Sequence, residues 1–175
     1  ELESFVLGLL WQIGPSSPYD LRRHMLASPS TQWSASAGAI YPLMRRLESV
    51  GLLSSAHAQN GKRERRVYSI TPPGKSALKQ WIGPPLAADA VSVMYDPMRS
   101  RARFLGALPK SQRAAWLKTA RAALDQVEAN VRSWHEQFGD SDDPFRALMT
   151  RHGELDVQMR RKWLDELERL LAAVA

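Results

Sequence analysis

The chain has no cysteine. That excludes disulfides, thiolate-held metal sites and a cysteine nucleophile. A reducing cytoplasm suits such a chain and is the expected compartment. Long hydrophobic runs are missing too. The longest, Phe5 to Trp11 with Gly8 inside it, falls far short of the ~20 apolar residues a membrane span needs. No membrane partner is expected. The first residues are acidic, Glu1 and Glu3, where a secretory leader is basic, so no signal peptide is expected either. Catalytic signatures are also lacking: there is no P-loop, G-x-G-x-x-G, G-x-S-x-G or H-E-x-x-H. The four histidines (24, 57, 135 and 152) have no partners at metal-ligand spacing. The turn Asp140 to Asp143 starts like a calcium loop, but it has no mid-loop glycine and Pro144 stands at the fifth position. The sequence therefore predicts no enzyme, no metal and no cofactor.

What is present is ordinary globular material: 175 residues, 44% hydrophobic and 24% charged, enough for one domain or two small ones. The net charge of +6 is unevenly spread. Residues 1–82 carry ten Lys and Arg against five Asp and Glu, while residues 83–175 carry 14 against 13. A local basic excess suits a polyanion, either nucleic acid or an anionic membrane surface. It equally describes a plain solvated face, so charge alone does not decide.

Periodicity and punctuation organise the chain. Leu2 to Ile13 reads as a buried helix stopped by Gly14-Pro15. Ser17-Pro18-Tyr19-Asp20 starts a second helix with a cap, a proline at the first position and an acidic capping partner. Ser28 to Ser34 reads as a polar loop. A third helix starts near Ser36, with Ile40, Leu43, Met44, Leu47 and Val50 at helical spacing and Gly51 as its stop. Pro42 falls either in its second turn or, if regular helix begins near Tyr41, at its first position. Leu53–Ala58 and Arg65–Ile70 read as strands joined at Asn60-Gly61, a tight-turn signal. Thr71-Pro72 caps a fourth helix to about Ile82.

Gly83-Pro84-Pro85 then breaks the chain. The predicted organisation is a DNA-binding domain over residues 1–82, a linker over 83–96 and a helical domain over 97–175. A fifth helix runs from Asp96-Pro97 to about Ala107. The longest begins at Pro109 and carries Leu117, Ala120, Leu124, Val127, Val131, Trp134 and Phe138 at alternating intervals of three and four, a heptad seam. The last helix carries Leu148, His152, Leu155, Met159, Trp163, Leu167, Leu170 and Val174. Two such helices make an antiparallel hairpin whose apolar face exceeds what they can cover themselves. A second copy is the expected cover, through Leu117, Leu124, Val127, Val131, Trp134, Met159, Trp163, Leu167 and Leu170. The alternative cover is the N-terminal domain of the same chain. Aromatics along such a seam either pack or line a pocket for a flat ligand.

The strongest constellation is basic: Arg45-Arg46 on the third helix and Lys62-Arg63-x-Arg65-Arg66 at the hairpin. Helices followed by a basic hairpin make a winged helix-turn-helix, which puts the third helix in the major groove and the hairpin on the flanking backbone. The expected fold is therefore mainly α with a small β-hairpin. Base edges fall to Ser36, Ala37, Gly38 and Ala39, small residues that allow close approach. Tyr41, Arg45, Arg46, Lys62, Arg63 and Arg65 are assigned to the backbone, and Pro42 bends the helix entry.

"LGLLWQIGPSSPYDLRRHM", "GAIYPLMRRLESVGLL" and "GKRERRVYSITPPGKSAL" together resemble the PadR family of transcriptional regulators. Tyr41-Pro42, Arg46 to Leu52, Arg66 to Thr71 and Gly74 to Leu78 match its motifs in order and spacing. Ser17-Pro18-Tyr19 departs from the family's His-Gly-Tyr. "YDPMRSRARFLGALP" resembles the longer, virulence-activator-like branch. The resemblance implies a homodimer on a two-fold symmetric operator in double-stranded DNA, answering to a small hydrophobic or aromatic effector; it does not give the sign of regulation, for which repression is the expectation. The competing expectation is a helical protein–protein interaction module without a DNA target.

Overall fold

The structure, a computed structural model, describes residues 1–28, 30–60, 63–86, 88–91, 95–138 and 143–173. The chain divides into two compact units, Glu1–Ser92 and Val93–Ala175.

In the first unit α1 (Leu2–Ile13) ends at Gly14, whose φ of 81° favours glycine. α2 (Pro18–Ala27) is capped as its sequence demands. The Asp20 amide donates to the Ser17 hydroxyl at 3.3 Å, and that hydroxyl donates to the Asp20 carboxylate at 2.7 Å. Then come α3 (Thr31–Ser36), a 3-10 turn (Ala37–Ala39) and α4 (Ile40–Ser49). The hairpin β1 (Leu53–Asn60) and β2 (Arg63–Ile70) is antiparallel, with Leu53 opposite Ile70 and Asn60 opposite Arg63. α5 (Pro72–Ile82) and a short 3-10 turn (Ala88–Val91) complete the unit. Ile40, Met44 and Leu47 of α4 pack with Val6 and Leu10 of α1, Leu21 and Met25 of α2, and Tyr68 of the hairpin. Each such burial is worth about 1.5–3 kcal/mol.

Two sequence expectations change here. The stretch Ser28 to Ser34 contains the start of α3 rather than a plain loop. Trp33 stacks on Phe5 with centroids 3.8 Å apart and planes 3° from parallel, which pins a short polar helix whose composition hides it. Pro42 is the third residue of α4. The first three N–H groups of a helix have no partner within it, so a proline there forfeits no hydrogen bond. Of the two readings, the one that delays regular helix is nearer, because 3-10 geometry fills the gap.

The second unit holds α6 (Pro97–Ala102), a 3-10 turn (Leu105–Ala107), α7 (Lys110–Phe138) and α8 (Pro144–Ala173). The expected helix to Ala107 thus breaks after Ala102. Asp96 accepts from the amides of Met98 and Arg99 at 2.8 and 3.2 Å, capping α6. Its second oxygen accepts from Arg160 of α8 at 2.8 Å.

α7 and α8 form the expected hairpin, but the seam divides. Leu117, Leu124 and Val131 are buried with Val157 and Leu164 of α8. Those three α7 residues are spent inside the hairpin and are not surface for a second copy; this corrects their assignment to a dimer face. The inner face of α8 is Thr150, Val157 and Leu164, not the long stripe read from the sequence. Leu148, Leu155, Met159 and Leu170 of that stripe face outward, Met159 53% and Leu170 56% exposed. Trp163 and Leu167 lie at the edge of the buried cluster. Val127 is 40% exposed and Trp134 half-buried. Val174 and the Asp140–Asp142 turn lie outside the described residues. Ion pairs run across the hairpin in both directions: Arg121 reaches Asp165 and Glu168, and Arg161 reaches Asp125 and Glu128. Among the described residues no helix is long and apolar enough to cross a membrane.

Candidate nucleic-acid interface

One side of α4 is core and the other is surface. Ile40, Leu43, Met44 and Leu47 point inward, while Gly38, Ala39, Tyr41, Pro42, Arg45, Arg46 and Ser49 are exposed. At 100° per residue, Gly38, Pro42, Arg45 and Ser49 fall on one ridge. Tyr41 flanks it towards the hairpin, and Ala39 and Arg46 flank it on the other side.

Ala37 departs from its expectation. It is 1% exposed and packs in the core, so it is not at a base edge. Ser36 does not cap α4; its hydroxyl donates to the Gln32 carbonyl at 2.7 Å. Gly38 has ordinary backbone geometry, and a Cβ there would meet nothing within 4 Å. The fold does not require glycine at 38. What glycine leaves is bare, exposed backbone at the tip of the ridge.

The cations sort by partner. Arg46 pairs with Glu3 of α1, which ties it to the protein and not to an open surface. Arg65 lies 3.8 Å from Asp20. Arg66 is bonded to Glu48. Arg45 makes no ion pair among the described residues. Lys62 lies outside them, as does the side chain of Arg63.

Between α4, the start of α2 and the hairpin runs a groove of about 570 Å³ lined by Tyr19, Tyr41, Arg45, Arg65, Arg66 and Tyr68, with Ser17 and Pro18 at one end. The hairpin is held at this spot by backbone as well. The Ser16 amide donates to the Tyr68 carbonyl at 3.0 Å and the Tyr68 amide to the Ser16 carbonyl at 2.9 Å. Sequence reasoning did not assign Tyr19 or Glu48 to the site. Tyr19 sits beside the helix-start signal that explained its neighbours, and Glu48 belongs to the R-L-E run. Neither signal gives the position of the hairpin that makes them part of a site.

Ser55's hydrogen bond, and then Arg66's, hold the Glu48 carboxyl below the usual carboxylate range. Glu48 is therefore ionised at neutral pH, and its ion pair contributes above the ordinary carboxylate range and fades as acid protonates it. The carboxylate is partly exposed, so solvent screens the contribution.

The sequence matches the transcriptional regulator PadR-like family over residues 6–80. It is 32% identical over 82 residues to the negative transcriptional regulator PadR of Bacillus subtilis (strain 168), which is 46% of this chain and 44% of that protein. By sequence, then, the chain spans under half the length of that curated relative. The fold is similar throughout to Bacillus subtilis PadR solved in complex with operator DNA (TM-score 0.75, 21% identity, 99% of each chain). It is similar to the same protein in complex with p-coumaric acid (TM-score 0.70, 20% identity, 99% of this chain and 94% of that one). It also resembles the Vibrio cholerae virulence activator AphA (TM-score 0.62, 19% identity, 99% and 98%). Residues 6–80 are thus similar in sequence to the transcriptional regulator PadR-like family, and the fold of the chain is similar to that of Bacillus subtilis PadR.

Proposed function

We propose that this chain is a sequence-specific, double-stranded DNA-binding regulator of transcription that works as a cytoplasmic homodimer on a two-fold symmetric operator, represses, and is released by a small aromatic or hydrophobic effector. The observation that carries this reading is the exposed ridge Gly38–Pro42–Arg45–Ser49 beside a groove of tyrosines and arginines that leads to the hairpin. A ridge of small residues carrying Arg45, which makes no ion pair among the described residues, suits a major groove, and the arginine-lined groove suits the adjoining phosphates. Residues 1–82 are the DNA-binding domain, 83–96 the linker and 97–175 the dimerisation domain. Ser36, Gly38, Ala39 and Pro42 lie at the groove floor, Tyr41, Arg45 and Arg65 on phosphates, and Lys62 and Arg63 at the wing. Bacillus subtilis PadR has been solved with operator DNA and with p-coumaric acid, which supports both kinds of partner.

Titration of duplex DNA from the promoter beside its own gene, at several salt concentrations, tests the reading. Arg45→Ala is expected to weaken binding roughly ten-fold and to reduce the salt slope by about one. An unchanged slope removes Arg45 from the phosphates. Gly38→Ala is expected to leave stability within about 1 kcal/mol of the parent while lowering operator affinity, because the new methyl enters the space the duplex occupies. Operator binding at the parental level would show that the backbone at Gly38 does not approach DNA.

The outward stripe Leu155, Met159 and Leu170, with Trp163 and Leu167 beside it, is the surface for the second copy. Val127, 40% exposed on α7, and Trp134 are assigned to the same surface. Met159→Asp places an unpaired charge there and is expected to yield monomers by light scattering. A wild-type chain that is itself monomeric at micromolar concentration would favour the stripe as a seat for a different protein's helix.

A further inference from the structure

The base of the hairpin carries a side-chain network that the DNA reading leaves unused. Arg66 Nη2 donates to both Glu48 oxygens at 2.8 and 2.7 Å, and Arg66 Nε donates to the Ser55 hydroxyl at 2.9 Å. That hydroxyl in turn donates to Glu48 Oε1 at 2.5 Å. Glu48 is near the end of α4, Ser55 is in β1 and Arg66 is in β2, so a closed ring of hydrogen bonds links the helix to both strands. The guanidinium also lies 5.4 Å from the centre of the Tyr68 ring, and Tyr68 is the residue paired by backbone to Ser16. A guanidinium held through two of its nitrogens, one on a carboxylate and one on a hydroxyl, is fixed in orientation as well as in place.

We infer that Arg66 is a positioning residue: with Glu48 and Ser55 it fixes the angle between the hairpin and α4, and so sets where the wing meets DNA relative to the ridge, without itself contacting a phosphate. The inference rests on the DNA-binding reading. It separates Arg66 from its neighbours Arg63 and Arg65, which a reading by charge alone groups together. Two of its three guanidinium nitrogens are engaged within the protein. Arg45, by contrast, has no such partner among the described residues.

The two roles predict opposite signs for one conservative change. Glu48→Gln keeps the shape of the side chain and removes a negative charge beside the DNA face. If Arg66 positions the wing, this variant binds operator roughly five- to ten-fold more weakly, and its preference for operator over random duplex falls. If Arg66 is a phosphate contact that Glu48 restrains, the same variant binds more tightly, and the inference is overturned. Arg66→Ala is expected to weaken operator binding while keeping the wild-type salt slope; a slope lower by about one assigns Arg66 to a phosphate. The double variant is expected to bind no worse than the weaker single one. Amide hydrogen exchange in the DNA-free protein gives the second readout: hairpin amides exchange faster in Glu48→Gln than in wild type, and unchanged exchange overturns the clamp. If the wild-type chain binds no duplex at all, the DNA reading fails, while the exchange result still decides the clamp.

Discussion

Gly74→Val is expected to unfold the first unit at temperatures where the wild type is stable. Gly74 lies in the first turn of α5, where the helix crosses the chain leaving α4. A Cβ there would sit 2.2 Å from the Leu52 carbonyl oxygen and 2.9 Å from Ile70 Cγ1. The first is a backbone atom with little room to move. The Thr71 amide donates to the Leu52 carbonyl at 3.1 Å, and the Thr71 hydroxyl donates to the Gly51 and Leu52 carbonyls at 2.7 and 3.0 Å. The Gly74 amide donates to that hydroxyl at 3.1 Å. Relieving the clash therefore means breaking the cap of α5 or pushing the strand start away from Leu78. Overpacking against a fixed neighbour costs about 3–5 kcal/mol at the severe end. For a unit of this size that is a fall in Tm of roughly 15–30 °C. Gly8→Ala is the control: its Cβ would meet Leu78 Cδ1 at 3.6 Å, an ordinary contact. Thermal melts by circular dichroism compare the two. A Gly74→Val variant that melts with the wild type would mean that α5 does not cross so closely.

Leu164→Ala is expected to be the most damaging alanine substitution in the helical hairpin. Leu164 is 0% exposed, in the buried cluster that includes Leu117 and Leu124 of α7. Its truncation costs about 3–5 kcal/mol, the transfer of the lost atoms plus the cavity they leave. Leu170→Ala, on the outward face, is expected to change stability by about 0.5 kcal/mol or less in dilute protein. A larger loss that grows with protein concentration would report burial of that face by a second copy, since association stabilises by mass action. Urea melts at two protein concentrations separate these effects. Equal losses in dilute protein would mean that the inner and outer faces of α8 are assigned the wrong way round.

The two units were not equally legible in the sequence. In the first, short-range signals carry the information. Ser17 and Thr71 cap, Pro18 and Pro72 occupy first helical turns, Gly51 takes a φ of 75°, and the two strands pair from Leu53–Ile70 to Asn60–Arg63. These signals act within a few residues, so a linear reading recovers them. α3 escaped because what holds it is a ring stack between Phe5 and Trp33, 28 positions apart. α8 was misread for a different reason. Its outward stripe is richer in large apolar side chains than the inner one, which includes Thr150, Gly153 and Val157. Gly153 leaves room for Val131, which a Cβ would approach to 3.4 Å. Periodicity finds an apolar stripe but not the surface that covers it.

The basic constellation shows the same division. Clustering of Arg45, Arg46, Arg65 and Arg66 is plain in the sequence, but the carboxylates that engage Arg46, Arg65 and Arg66 are not. Glu3 is 43 positions from Arg46, and Glu48 is 18 from Arg66. Carboxylates on other elements decide which arginines remain free for an outside partner, and only folding brings them together.

With the clamp at the hairpin base, the wing has the properties of a ruler. From the pair His57–Arg66 to the pair Asn60–Arg63 there are three residue steps, about 10 Å of strand. Two more residues in each strand would extend that arm by about 7 Å and return every side chain to the same face. One residue in each would reverse the faces. Hairpin length in this architecture is thus a quantised variable that alters how far the wing reaches beyond the clamp while α4 and its ridge stay unchanged.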